Sequence, residues 1–215
     1  MESTRPGIKI CGITREEEAK MLNEAGVTHA GFVFYEKSKR YIEVPKTKDI
    51  FQKLNKDIRK VAVTVDPDGA LLAQIEEAGF DVLQVHKRLR PEVLQKTSLP
   101  IWYAINLSLK EAENDVAWKE AERLAQEAKV KAFVVDAAGY GSGKTFDWHA
   151  WDETRWRSLR KDKQFVLAGG LTPENVQEGI RIFKPDIVDV SSGVEGTDGK
   201  SREKILQFVS KVKNN

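Results

Sequence analysis

Short apolar runs alternate along the chain with longer stretches in which apolar residues recur every three or four positions. The runs are Ile8–Cys11, His29–Phe34, Val61–Val65, Val82–His86, Ile101–Asn106, Ala132–Asp136, Phe165–Ala168 and Ile187–Val190. They are continuous rather than alternating, as in parallel strands covered on both faces. Helical spacing follows each in turn, over Thr14–Ala25, Lys46–Leu54, Leu71–Ala78, Pro91–Lys96, Val116–Ala128, Trp148–Leu159, Pro173–Phe183 and Arg202–Val212. Within the seventh, Thr172 is the expected N-cap and Pro173 the first helical residue.

Eight strand-plus-helix units predict an α/β protein, a single (β/α)₈ TIM barrel with parallel strands occupying residues 1–215. An open doubly wound sheet is the competing architecture. Against it, the first strand lacks the G-x-G-x-x-G turn of a dinucleotide fold, and 215 residues suit the lower end of barrel lengths.

Composition narrows the functions. The 35 basic and 33 acidic residues nearly cancel, so charge gives no reason to expect nucleic acid or an anionic membrane as partner. No apolar run approaches the roughly 20 residues needed to cross a bilayer, and the N-terminus lacks the apolar stretch of a secretory signal. A cytoplasmic location is the expectation. One cysteine makes no internal disulfide, and neither His29 nor His149 has a partner at metal-ligand spacing, so no metal is inferred. Trp148, Trp151 and Trp156 among Arg155, Arg157, Arg160 and Lys161 would suit a nucleic-acid surface. A helix with its tryptophans packed inward explains that stretch better.

In a (β/α)₈ barrel the strand C-termini converge on one mouth, where the reactive groups sit. Cys11, His86 and Asp136 end the first, fourth and sixth strands, and Asp189 lies in the eighth. Gly169-Gly170 and Ser191-Ser192-Gly193 follow the last two strands, where barrels of this class commonly hold phosphate. Bare glycine backbone lets N–H groups approach an anion. Each residue also has a plainer reading: Cys11 as a buried apolar side chain, Asp136 and Asp189 as turn or structural carboxylates, His86 as a satisfied histidine near the core, Arg40 as a solvated arginine and the glycines as tight turns.

Several segments together resemble the phosphoribosylanthranilate isomerase family. They are Lys9-Ile10-Cys11-Gly12-Ile13-Thr14, Gly31 through Ile42, Val135-Asp136, Gly141 through Trp148, Ala168-Gly169-Gly170-Leu171 and Val188 through Glu195. They run in the family's order along nearly the whole chain. The resemblance implies an Amadori rearrangement in tryptophan synthesis that needs no cofactor and acts on a small phosphorylated molecule. It implies Cys11 as general base and Asp136 as general acid. Arg40 would grip the anthranilate carboxylate, with Gly169, Gly170, Ser192 and Gly193 around the phosphate. His86 and Asp189 match mouth positions.

Three positions depart from the family pattern: Lys87 follows His86 where glycine is usual, Thr64 stands where an aromatic is common, and Ser201 replaces an aspartate. Two other readings stay open at this point. One is a related aminoaldose isomerase of histidine synthesis, which normally uses two aspartates. The other is a silent barrel that binds a phosphorylated ligand. Monomer and homodimer are equally compatible with the sequence.

Overall fold

The computed structural model describes residues 5–106, 111–136, 156, 159–160 and 162–215. The eight expected strands are present as β1 (Gly7–Cys11), β2 (His29–Phe34), β3 (Arg59–Val65), β4 (Val82–His86), β5 (Ile101–Asn106), β6 (Val130–Asp136), β7 (Gln164–Ala168) and β8 (Ile187–Val190). They pair in chain order, all parallel, and β1 closes on β8 with Lys9 opposite Asp189. The open-sheet alternative is thereby excluded.

The pleat divides each strand between two cores. Ile8 and Ile10 of β1, Phe32 of β2, Phe133 of β6 and Val188 of β8 face the surrounding helices in the larger apolar layer. Val61, Val82, Trp102, Ala132, Val134 and Val166 fill the barrel itself. This two-sided burial is why the strands read as unbroken apolar runs.

The outer ring contains α1 (Glu16–Ala25), α2 (Thr47–Lys53), α3 (Gly69–Glu77), α4 (Pro91–Lys96), α5 (Glu111–Leu124), α6 (Val176–Phe183) and α7 (Arg202–Lys213). The expected helix at Trp148–Leu159 and the Gly141–Trp148 segment lie mostly outside the described residues. Of that stretch, Trp156 and Leu159 are helical and buried, and the Trp156 ring stands 4.4 Å from that of Phe165. Trp156 therefore packs inward.

The expected cap at Thr172 is present, with the regular helix set in slightly later. Regular helix is assigned from Val176, yet the Thr172 hydroxyl accepts from the Glu174 N–H at 3.2 Å and its carbonyl from the Val176 N–H at 3.1 Å, as an N-cap does. The Asn175 side chain completes the cap: its Oδ1 accepts from the Thr172 N–H at 2.8 Å and its Nδ2 donates to the Gly170 carbonyl at 3.0 Å. These bonds hold 171–175 as a turn folded back on the glycine pair.

A small hairpin, β9 (Glu195–Gly196) and β10 (Gly199–Lys200), follows β8. It is anchored by the fully buried Glu18 of α1, whose carboxylate accepts from the backbone N–H groups of Thr14, Arg15 and Lys200 at 2.7, 3.2 and 2.9 Å.

Lys87, just after β4, has φ +64°, a left-handed conformation that costs an L-residue about 1–2 kcal/mol. Lys87→Gly is expected to stabilise the fold by roughly 0.5–1 kcal/mol and raise the thermal midpoint by about 1–4 °C, read by calorimetry. An unchanged or lower midpoint would show that the lysine's own contacts outweigh the backbone strain.

At the bottom of the barrel, His29 lies beside Trp102, with ring centroids 5.1 Å apart, and its buried Nε2 has no hydrogen-bond partner among the described residues. Burial, then the charges of Arg59 and Lys9, hold its imidazole down to about 3. The unfolded chain takes up this proton near pH 6.5, whereas the folded chain does so only near pH 3. The histidine therefore drains stability as pH falls through that window. His29→Gln is expected to flatten the acid limb of urea-measured stability between pH 6 and 4 by up to about 1.4 kcal/mol per pH unit; parallel curves would remove His29 as the cause.

Candidate active site

At the C-terminal ends of the strands the barrel opens into a cavity of about 480 Å³, within the range of small-molecule sites. Cys11, Arg40, His86, Asp136, Gly169, Gly170, Asp189 and Ser192 all line it. Residues up to 181 positions apart in sequence thus share one chamber, because closure of the sheet brings every strand end to the same rim.

Cys11 is the last residue of β1, and Gly12 turns the chain away with φ +84°. The turn leaves bare backbone where the methylenes of Arg40 cross, and a Cβ on Gly12 would collide with the arginine stem. Gly12 thus serves two purposes, a left-handed turn and a close approach. Asp136 ends β6, three strands round the barrel from β1, and is buried at the cavity edge. His86 ends β4, with the Gln84 side-chain amide 2.9 Å from its Nε2, which fixes the ring's orientation.

Arg40 is held on the protein side by a residue that sequence reading did not single out. Its Nε and Nη2 both donate to the carboxylate of Glu195, Nη2 at 3.2 Å. Lys39 and Lys200 also bond Glu195, at 3.1 and 3.2 Å. Burial alone would raise the Glu195 carboxyl. Hydrogen bonds from Arg40 and Lys39, with the positive charges of Lys200 and Arg40, outweigh that and hold it down to about 2. Lys200 is buried too, and its ammonium also donates to the Ser191 carbonyl at 3.0 Å.

The turns after β7 and β8 lie together. Gly169 and Gly170 have φ +86° and +64°, and Ser192–Val194 forms a short 3₁₀ helix directly after Ser191. This is the arrangement in which barrels commonly bind phosphate: two adjacent loops and the start of a short extra helix. Gly193 does not line the cavity. Its Cα sits so close to the Leu171 carbonyl that any Cβ would overlap it, and this contact locks the two loops side by side.

Asp189 lies deeper than a rim residue. Its Oδ2 is 2.7 Å from Nζ of Lys9, and both side chains are inside the barrel beneath Cys11. Lys9 was missed as a candidate, yet its spacing of two from Cys11 on one strand puts both on the same face. Among the described residues no group of three or more His, Cys, Asp or Glu is arranged to hold a metal, and no helix is long and apolar enough to cross a membrane.

Comparisons with known proteins converge. A family model described as N-(5'phosphoribosyl)anthranilate (PRA) isomerase matches residues 8–211. The N-(5'-phosphoribosyl)anthranilate isomerase of Clostridium acetobutylicum is 36% identical over 218 residues, spanning 96% of this chain and 97% of that protein. The crystal structure of phosphoribosyl anthranilate isomerase from Thermotoga maritima superposes with a TM-score of 0.80 at 32% identity, covering 98% of this chain and all of that one. A phosphoribosyl anthranilate isomerase solved in complex with reduced 1-(o-carboxyphenylamino)-1-deoxyribulose 5-phosphate has a TM-score of 0.78 at 30% identity, covering 98% and 100%. With a match running from β1 into α7, and relatives more than a third identical along nearly their whole length, the chain belongs to the phosphoribosylanthranilate isomerase family.

Proposed function

We propose that this chain converts N-(5'-phosphoribosyl)anthranilate to 1-(2-carboxyphenylamino)-1-deoxyribulose 5-phosphate with Cys11 as general base and Asp136 as general acid. The observation that carries the assignment is that the chain's one thiol and a buried carboxyl group line the same cavity, beside paired glycine and serine turns. The ligand named in the complex of a family member carries both a phosphate and a carboxylate. Two anionic ends match two features here: the turns after β7 and β8, and the guanidinium of Arg40.

These two groups suit the steps of an Amadori rearrangement. Asp136 gives its proton to the furanose ring oxygen as the C1–O bond breaks, leaving a Schiff base at C1. The Cys11 thiolate takes the proton from C2, and those electrons form the C1=C2 bond of an enolamine. Ketonisation places a proton on C1 as the C2 hydroxyl gives one up to leave the carbonyl, and return of the proton from Cys11 to Asp136 by way of solvent restores both groups, so no net atoms are gained or lost. The phosphate, bound in the turns after β7 and β8, lies away from the reacting carbons and supplies binding energy that holds them in position. Gly193 serves the cradle indirectly by fixing one loop against the other. His86 and Asp189 complete the substrate-facing wall. A cytoplasmic monomer or homodimer fits this biosynthetic role.

Loss of substrate fluorescence on incubation with freshly made phosphoribosylanthranilate measures the activity directly. Cys11→Ser and Asp136→Asn are each expected to lower kcat by roughly 10²–10⁴-fold while phosphate-ligand binding stays within a small factor. Near-normal turnover in either variant would mean the wrong group has been assigned. Glu195→Gln removes the negative charge and one of the two acceptor oxygens that fix Arg40, and is expected to raise KM about tenfold, equivalent to about 1.4 kcal/mol, with a smaller effect on kcat. An unchanged KM would detach Arg40 from substrate binding.

A further inference from the structure

We propose that Lys9 is a positioning residue for the reaction: its ammonium group, clamped by Asp189 inside the barrel, holds the Cys11 sulfur in place and supports its thiolate form. The inference deepens the assignment of Cys11 as base and rests on it.

Three observations converge on Lys9. Its side chain is wholly shielded from solvent, at 0% exposure, at the level of the barrel just below the cavity. A lysine in such a place needs a counter-charge, and Asp189, directly across the β1–β8 seam, supplies one at 2.7 Å. On the opposite side, β2 places Gly31 next to Cys11. A Cβ on Gly31 would lie 3.0 Å from Cys11 Sγ and 3.1 Å from Lys9 Cε, so the sulfur and the lysine stem meet over that bare backbone. The charge of the ammonium acts directly on the sulfur from this position.

A buried ion pair is a poor way to stabilise a barrel core, since apolar residues of the same volume generally serve as well or better. The pair therefore calls for an electrostatic reason, and the adjacent sulfur is the group that gains from it. Asp189 commits only one oxygen to the protein: its Oδ1 is buried with no hydrogen-bond partner among the described residues. Other charged or titratable groups reach the sulfur's surroundings from every side: Lys200 of β10, Arg40 over Gly12, and Asp136 and His86 across the cavity. Burial drives the Cys11 thiol upward, Lys9 is the strongest influence opposing that, Asp189 adds to the rise and Lys200 opposes it. Removing the Lys9 charge leaves burial less opposed. When the thiolate takes the C2 proton, the Lys9–Asp189 pair remains balanced, so the interior changes by the single charge lost from sulfur.

Cys11 is the one cysteine in the chain, so the pH dependence of its alkylation by iodoacetamide reads this sulfur alone. Lys9→Met is expected to move the alkylation midpoint up by at least one pH unit and to slow labelling at pH 7.5 about tenfold. The acid limb of kcat/KM should move in the same direction. Because Lys9→Met strands the Asp189 charge and can impair folding, the double variant Lys9→Met/Asp189→Asn, whose interior is neutral, is measured alongside. A midpoint raised in the double variant supports the proposal even if the single variant fails to fold. Because losing the Asp189 charge by itself lowers the midpoint, the double variant is compared with Asp189→Asn alone, and equal midpoints in those two overturn the proposal. The alkylation readout does not depend on turnover: an inactive parent protein would defeat the assigned reaction while leaving the Lys9–Cys11 coupling measurable.

Discussion

Closure of the sheet through β1 against β8 is the constraint on which the remaining structure depends. The seam sets Lys9 beside Asp189 and Cys11 beside the loop that carries Ser191, whose hydroxyl donates to the Cys11 carbonyl at 2.8 Å. Without that pairing the thiol would end an edge strand, and the glycine and serine turns would lie at the far side of an open sheet. Barrel closure also gives the interior its unusual polarity. Most of the core is aliphatic and aromatic, yet the positions just beneath the mouth are Lys9, Gln84 and Asp189, all buried. Each is tied to a neighbour at the rim or in the seam, so the chemistry at the opening is supported from below.

Much of this architecture was legible in the chain because the physics behind it is local. Strands wrapped on both faces have no polar side to show, and β2, β4, β5 and β8 fall where their apolar runs do. Helix ends were harder where polar residues carry the fold. The fifth helix spans Glu111–Leu124, whereas hydrophobic spacing suggested Val116–Ala128. Its first five residues, Glu-Ala-Glu-Asn-Asp, hold a single small apolar side chain and give periodicity nothing to detect. At the start of α6 the Thr172 cap was legible from its residue type, whereas the Asn175 side chain that closes on it was not.

The site was readable to the extent that strand ends are readable. Cys11, His86, Asp136 and the glycine pair follow from placing each run's last residue at the mouth. What did not follow were partnerships between distant residues. Nothing near Arg40 in sequence announces Glu195, 155 positions later, and nothing near Asp189 announces Lys9, 180 positions earlier. A lysine between two isoleucines looks like an interruption of an apolar strand. Only the facing carboxylate turns it into a feature of the interior. Period-two spacing from Cys11 was the one available signal for Lys9, and it gains meaning once the inward face of β1 is known.

The buried carboxylate of Glu18 has an effect on the order in which the molecule is assembled. It joins the first turn of the first helix to the N–H of Lys200, a separation of 182 residues. During synthesis the N-terminal β1–α1 unit emerges early, but this carboxylate keeps an unmet acceptor until the last hairpin arrives. The thiol's side of the mouth, with Lys200 and Glu195 around it, is therefore complete only when the two ends of the chain have met.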